Sequence, residues 1–180
     1  MNEARHQADL RLRTATVEDL PIILTFIREL AEYERLGHEA VATEDDLRRS
    51  LFPRPGELPE PCRPGAEVVL AELGGEPVGF ALFFHNFSTF LARRGLYLED
   101  LFVRPEARGR GVGRILLEHL AGLAVERGCG RFEWSVLDWN APAIRFYEAL
   151  GAQKMEEWRI FRVTGGALTR LAAGRAAGGA

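Results

Sequence analysis

Leu96-Tyr-Leu-Glu-Asp-Leu-Phe-Val103 is an apolar strand pattern broken by two adjacent acids, Glu99 and Asp100. Pro105 ends it, and Arg108-Gly-Arg-Gly-Val-Gly113 then opens a helical pattern carried by Val112, Ile115, Leu116, Leu120 and Leu123. The spacing predicts a helix from about Gly109 to Arg127, stopped by Gly128 and Gly130. Working outward on the N-terminal side, Leu10-Arg-Leu-Arg-Thr14 alternates like a half-buried strand. Thr16 precedes a helix whose apolar stripe is Leu20, Ile23, Leu24, Ile27, Leu30 and Ala31, and Thr43 starts a short second helix closed by Pro53. Glu67 to Leu73 and Val78 to Phe87, joined by Gly74-Gly75-Glu76-Pro77, read as a hairpin. On the C-terminal side we expect a strand over Arg131 to Leu137, a helix from about Pro142 to Leu150 and a closing strand pair through Met155 to Val163. The order implies a mixed sheet flanked by helices.

Composition narrows the function. One hundred and eighty residues suit a single domain, here 10–164, between a flexible N-terminus at 1–9 and a Gly/Ala-rich tail at 165–180 expected to lack order. The five prolines Pro53, Pro55, Pro59, Pro61 and Pro64 mark a surface loop. Twenty-three Lys and Arg against twenty-six Asp and Glu leave a net charge of −3, which argues against nucleic acid as a partner. No apolar run approaches membrane-spanning length, and Met1 to Leu10 is polar, without the apolar region of a secretory signal. The two cysteines, Cys62 and Cys129, form neither a disulfide framework nor a metal motif, so a cytoplasmic protein that needs no metal is expected. His85 and His119 lack metal-ligand or nucleophile spacing and read as packed or surface residues.

Alternating glycines ahead of a helix turn successive N–H groups toward one point, where the helix dipole adds partial positive charge, and such a point favours a phosphate. A dinucleotide fingerprint needs G-x-G-x-x-G directly after a strand, but here Arg114 holds the last glycine's place and five residues intervene. A P-loop needs a Lys-Ser or Lys-Thr that is absent. A glycine-rich helix start with solvated arginines is the plain alternative.

Arg108, Gly111 and Gly113 resemble the R/Q-x-x-G-x-G/A coenzyme A signature of the GCN5-related N-acetyltransferases, and Asn140, Phe146, Tyr147 and Leu150-Gly-Ala152 resemble that family's later segment. Leu30-Ala-Glu-Tyr-Glu34, Tyr97-Leu-Glu-Asp100, Trp139-Asn140 and Trp158-Arg159 are similar to its spermidine/spermine (diamine) branch. The resemblance implies an α+β fold with a mixed, mostly antiparallel sheet, a homodimer, and acetyl transfer from acetyl-CoA to a small-molecule amine in a ternary complex. It implies that Leu101, Phe102 and Val103, the loop Arg108, Gly109, Arg110, Gly111, Val112 and Gly113, and Asn140, Ala143 and Phe146 hold acetyl-CoA.

For the chemistry, an alkyl ammonium with a pKa near ~10.4 must lose a proton before it attacks. Glu99 is the candidate base, since a carboxylate in an apolar strand is costly without a partner; a salt-bridged or solvated strand charge is the alternative. By resemblance Tyr147 donates a proton to the departing thiolate, with core packing as its alternative, and Asn140 orients the cofactor, caps a helix, or both. Tyr33, Glu34, Glu99 and Asp100 gather negative charge suited to a diamine, polyamine or lysine-like amine. Residues 99 and 100 reach one pocket only if a bulge intervenes, which the family implies. A protein lysine, N-terminus, amino acid or cationic antibiotic as acceptor, and an acyl-CoA sensor without turnover, are the rival functions.

Overall fold

The computed structural model describes residues 9–57 and 64–174. The N-terminal residues 1–8, the centre of the proline-rich loop with Cys62, and the last six residues of the tail lie outside that range. The chain divides into two compact units, Met1–Leu137 and Asp138–Ala180.

The first unit carries one five-stranded sheet, β1 (Leu10–Thr14), β2 (Glu67–Leu73), β3 (Glu76–Ser88), β4 (Arg93–Val103) and β5 (Phe132–Trp134), in that spatial order. Every neighbouring pair is antiparallel except β4 with β5. That parallel pair needs a crossover, which α3 (Val112–Glu126) supplies. Gly74 and Gly75 both take positive φ, 61° and 87°, the conformation a tight two-residue turn demands between Leu73 and its partner Glu76.

Strand alternation assigns the two faces. α1 (Leu20–Tyr33) and α2 (Glu44–Leu51) cover one, where Ile23, Phe26 and Leu51 pack with Val68, Leu70, Phe80 and Phe102. Phe26 lies 5.6 Å from Phe80 and 6.0 Å from Phe102, ring centre to ring centre. Burying each such ring contributes about 2–3 kcal/mol against chain entropy. On the other face Leu116, Leu117, Leu120 and Ala124 of α3 are buried with Val69, Ala81, Phe83, Leu96 and Leu98 of the sheet. Thr43 starts α2 as its sequence suggests: its hydroxyl accepts from Asp46 N–H at 3.2 Å, and its own N–H donates to Asp46 Oδ2 at 3.1 Å.

The second unit contains α4 (Ala141–Ala149) and α5 (Gly165–Ala173). Two sequence expectations change here. No strand forms between Ala152 and Thr164, where Trp158, Ile160 and Phe161 are exposed; alternation marks a segment able to pair, and the described chain offers it no paired neighbour. The first residues of the Gly/Ala-rich tail form α5, because alanine and leucine are strong helix formers even in a composition that looks structureless.

Candidate active site

β4 is not a regular strand. Asp100 pairs with Leu82 and Leu98 with the adjacent Phe83, so Glu99 is an extra residue with no counterpart on β3. This is a β-bulge, and it reverses which face the strand presents. Leu96 and Leu98 point to the α3 side, while Asp100 shares the α1 side with Leu82 and with Phe102 opposite Phe80. Burial pushes the Asp100 carboxyl up to about 6, with the neighbouring charges of Glu99 and Glu34 adding to the effect. Glu34, just past α1, is also raised by burial. Glu99 is exposed.

Beyond the bulge β4 loses its outer partner. Its parallel register with β5 runs from Leu96–Phe132 to Leu98–Trp134 and stops there, so Leu101, Phe102 and Val103 continue with an edge unpaired by β5. Phe102 is buried against α1, and Leu101 and Val103 are half-buried.

A turn at Pro105–Ala107 leads to the glycine loop. Gly109 and Gly111 take φ of 74° and 80°, and a Cβ on either would meet no atom within 4 Å. No crowding inside the protein demands glycine here. The reason is the left-handed backbone, which leaves open room for a group from outside. Gly111 caps α3, and its carbonyl accepts the first helical bond from Ile115 N–H at 3.0 Å. The N–H groups of Val112, Gly113 and Arg114 precede that bond and lack intrahelical acceptors, which suits an anion. Arg110 is exposed beside them. The helix therefore starts at Val112, three residues later than its apolar spacing suggests, because the left-handed glycines cannot belong to it. Arg108, though exposed, folds back on the chain: its Nε donates to Val103 O at 2.9 Å and its guanidinium lies over Tyr33.

The structure thus gathers Tyr33, Glu34, Glu99, Asp100 and Arg108 in the first unit. Leu101–Val103 and the Gly109–Gly113 loop lie in the same unit, whereas Asn140, Ala143, Phe146 and Tyr147 belong to the second, on α4 or capping it. There Asn140 Oδ1 accepts from Ala143 N–H at 3.3 Å, a helix cap, and the rings of Phe146 and Tyr147 stand 5.5 Å apart. Asn86, Arg131 and Glu133 cluster on the sheet, a contact set that sequence spacing did not single out; Gly95 inside a strand was the signal that side chains cross there.

The acetyltransferase (GNAT) family matches residues 28–152, which include the bulge, the glycine loop and α4. The chain belongs to that family. Among GNAT relatives it is 40% identical to a thialysine N-epsilon-acetyltransferase of Bos taurus, over 92% of this chain and 98% of the relative. It is 38% identical to an L-ornithine N5-acetyltransferase of Arabidopsis thaliana, over 92% and 89%. A solved integron cassette protein from the mobile metagenome of V. cholerae superposes with a TM-score of 0.73 at 28% identity, covering 91% of this chain and 98% of its own. This GNAT protein is an N-acetyltransferase acting on amines. Among the described residues no helix is long and apolar enough to cross a membrane, and no group of His, Cys, Asp and Glu is arranged to hold a metal.

Proposed function

We propose that this protein moves the acetyl group of acetyl-CoA to the primary amine of a small cationic molecule, a diamine, polyamine or lysine-like compound, by direct attack in a ternary complex. The observation that carries the reading is the bulge at Glu99, which sets a half-buried Asp100 with Glu99 and Glu34 beside an unpaired strand edge.

Acetyl-CoA supplies a thioester carbonyl as electrophile. The N–H groups from Gly109 to Gly113 cradle its diphosphate, with Arg108 and Arg110 adding positive charge, and the open room beside both left-handed glycines supports that fit. The edge from Leu101 to Val103 offers backbone N–H groups to the pantetheine amides and to the carbonyl oxygen as negative charge develops on it. Tyr33, Glu34 and Asp100 hold the cationic amine, and Glu99, directly or through water, takes its proton. From the resemblance we keep Asn140, Ala143 and Phe146 as cofactor contacts and Tyr147 as proton donor to the leaving thiolate. A cytoplasmic homodimer belongs to the same reading.

Thiol release from acetyl-CoA across a panel of putrescine, cadaverine, spermidine, L-lysine, an aminoglycoside and a peptide tests it. Release with the small linear amines is expected. Release with only the aminoglycoside or the peptide would move the acceptor to another class, and tight binding of acetyl-CoA without release would make the protein a sensor.

A further inference from the structure

Two buried side-chain polar atoms among the described residues lack a hydrogen-bond partner, Asn86 Oδ1 and Arg131 Nε. Both lie over Gly95, which faces Asn86 in the β3–β4 register. A Cβ on Gly95 would stand 2.2 Å from Asn86 Oδ1 and 3.3 Å from Arg131 Nε, so glycine is what lets the two side chains cross the strand. Their common target is Glu133 on β5. Asn86 Nδ2 donates to Glu133 Oε2 at 3.0 Å, and Arg131 Nε stands 2.8 Å from the same oxygen, a charge contact without the alignment of a hydrogen bond. Native proteins leave few such orphans; both atoms are closed to solvent, so it is the part-exposed remainder of the Arg131 guanidinium and of the Glu133 carboxylate that can meet an external polar group.

The cluster lies on the sheet face that carries Asp100. Asn86 and Phe84 alternate with Leu82 on that side, Tyr97 pairs with both Phe84 and Glu133, and the Phe84 and Tyr97 rings stand 5.2 Å apart. The side chains of Arg131 and Glu133 are each 36% exposed. Two residues of strand and one strand spacing separate Glu133 from Glu99, about 8 Å. A chain of lysine or ornithine length with a hydrogen bond at each end bridges that interval.

We propose that Arg131 and Glu133, braced by Asn86 across Gly95, form the distal half of the acceptor site. There they read the α-carboxylate and α-ammonium of a lysine- or ornithine-like amino acid whose terminal amine lies at Glu99 and Asp100. This rests on the acetyl transfer proposed above and narrows its acceptor. A guanidinium beside a carboxylate is the complement of a zwitterion, whereas the second ammonium of a diamine meets Arg131 as a like charge.

Steady-state acetylation of L-lysine, L-ornithine, cadaverine and putrescine tests the assignment. Each amino acid is expected to exceed the diamine of its own chain length in kcat/KM by at least about 10-fold. Arg131→Gln should reduce the lysine-to-cadaverine ratio by about 10- to 100-fold through the KM for lysine, the loss expected for one charge-assisted pair, and Arg131→Lys should restore part of it. Should Arg131→Gln not fold, the wild-type comparison of L-lysine with its methyl ester decides, because the ester lacks the carboxylate. A preference for diamines, an unchanged ratio in folded Arg131→Gln, or equal use of lysine and its ester would overturn the distal site and leave acetyl transfer standing. Absence of transfer to every amine would overturn both.

Discussion

The guanidinium carbon of Arg108 stands 4.8 Å from the centre of the Tyr33 ring. That contact ties the start of the glycine loop to the end of α1, and the Arg108 bond to Val103 O ties it to the end of β4. Loop, helix and strand edge therefore meet at one side chain. Arg108→Ala should lose both ties, lowering stability by about 1 kcal/mol and raising the KM for amine and acetyl-CoA together. Arg108→Lys should keep the charge but lose the planar stacking. Thermal melts and kinetics on the two variants check this; a KM change confined to acetyl-CoA would mean that Arg108 serves the cofactor alone.

Asp100 predicts a dependence on pH. Its carboxyl is pushed up to about 6 in the folded chain, against an ordinary value near ~3.9 when unfolded. Between those values the folded state binds more protons than the unfolded state, so this group's contribution to stability falls as pH rises from about 4 to about 6 and is lowest above that window. Asp100→Asn should accordingly be more stable than wild type at pH 8, by up to about 2 kcal/mol, with the gain shrinking toward pH 4. Urea unfolding at the two pH values measures it. If the ionised Asp100 holds the amine, kcat/KM should rise through pH 6 in the wild type and lose that limb in the variant.

Gly111 is held at φ 80° with open room beside it. A β-branched residue there costs about 1–2 kcal/mol in backbone strain and fills the space that the proposed diphosphate needs. Gly111→Val should weaken acetyl-CoA binding far more than amine binding, as read by calorimetry. Equal losses for both ligands would argue that the loop serves folding only.

For Tyr147 the expected outcome is a fall in kcat of about 10- to 100-fold in Tyr147→Phe, with little change in acetyl-CoA affinity, as loss of a proton donor implies. The ring pair with Phe146 survives the substitution, so packing is preserved. Unchanged turnover would remove Tyr147 from the mechanism.

Much of the first unit was legible because its signals are local. Thr43 with Asp46 announces α2, Gly74-Gly75 announces the hairpin, and the apolar stripes of α1 and α3 announce the faces they bury. The glycine-rich turn ahead of α3 was equally legible, since alternating glycines mark left-handed backbone, which Gly109 and Gly111 adopt. Misreadings came where pairing or context decides. Met155 to Val163 alternates like a strand yet forms none, because a strand exists only through its neighbour. The tail reads as structureless by composition yet begins with α5, because alanine tolerates both states.

By itself, the order of residues determined most elements of the first unit, the glycine-rich loop at Gly109–Gly113 and the presence of two acids in an apolar strand. Only the tertiary structure decided where those acids point, because the bulge at Glu99 is a mismatch of register between β4 and β3 that neither strand encodes alone. It alone also set Asn86 and Arg131 over Gly95, both within reach of Glu133. With Gly95 these residues come from β3, β4 and the start of β5, and sequence spacing carries no information about which strands lie side by side.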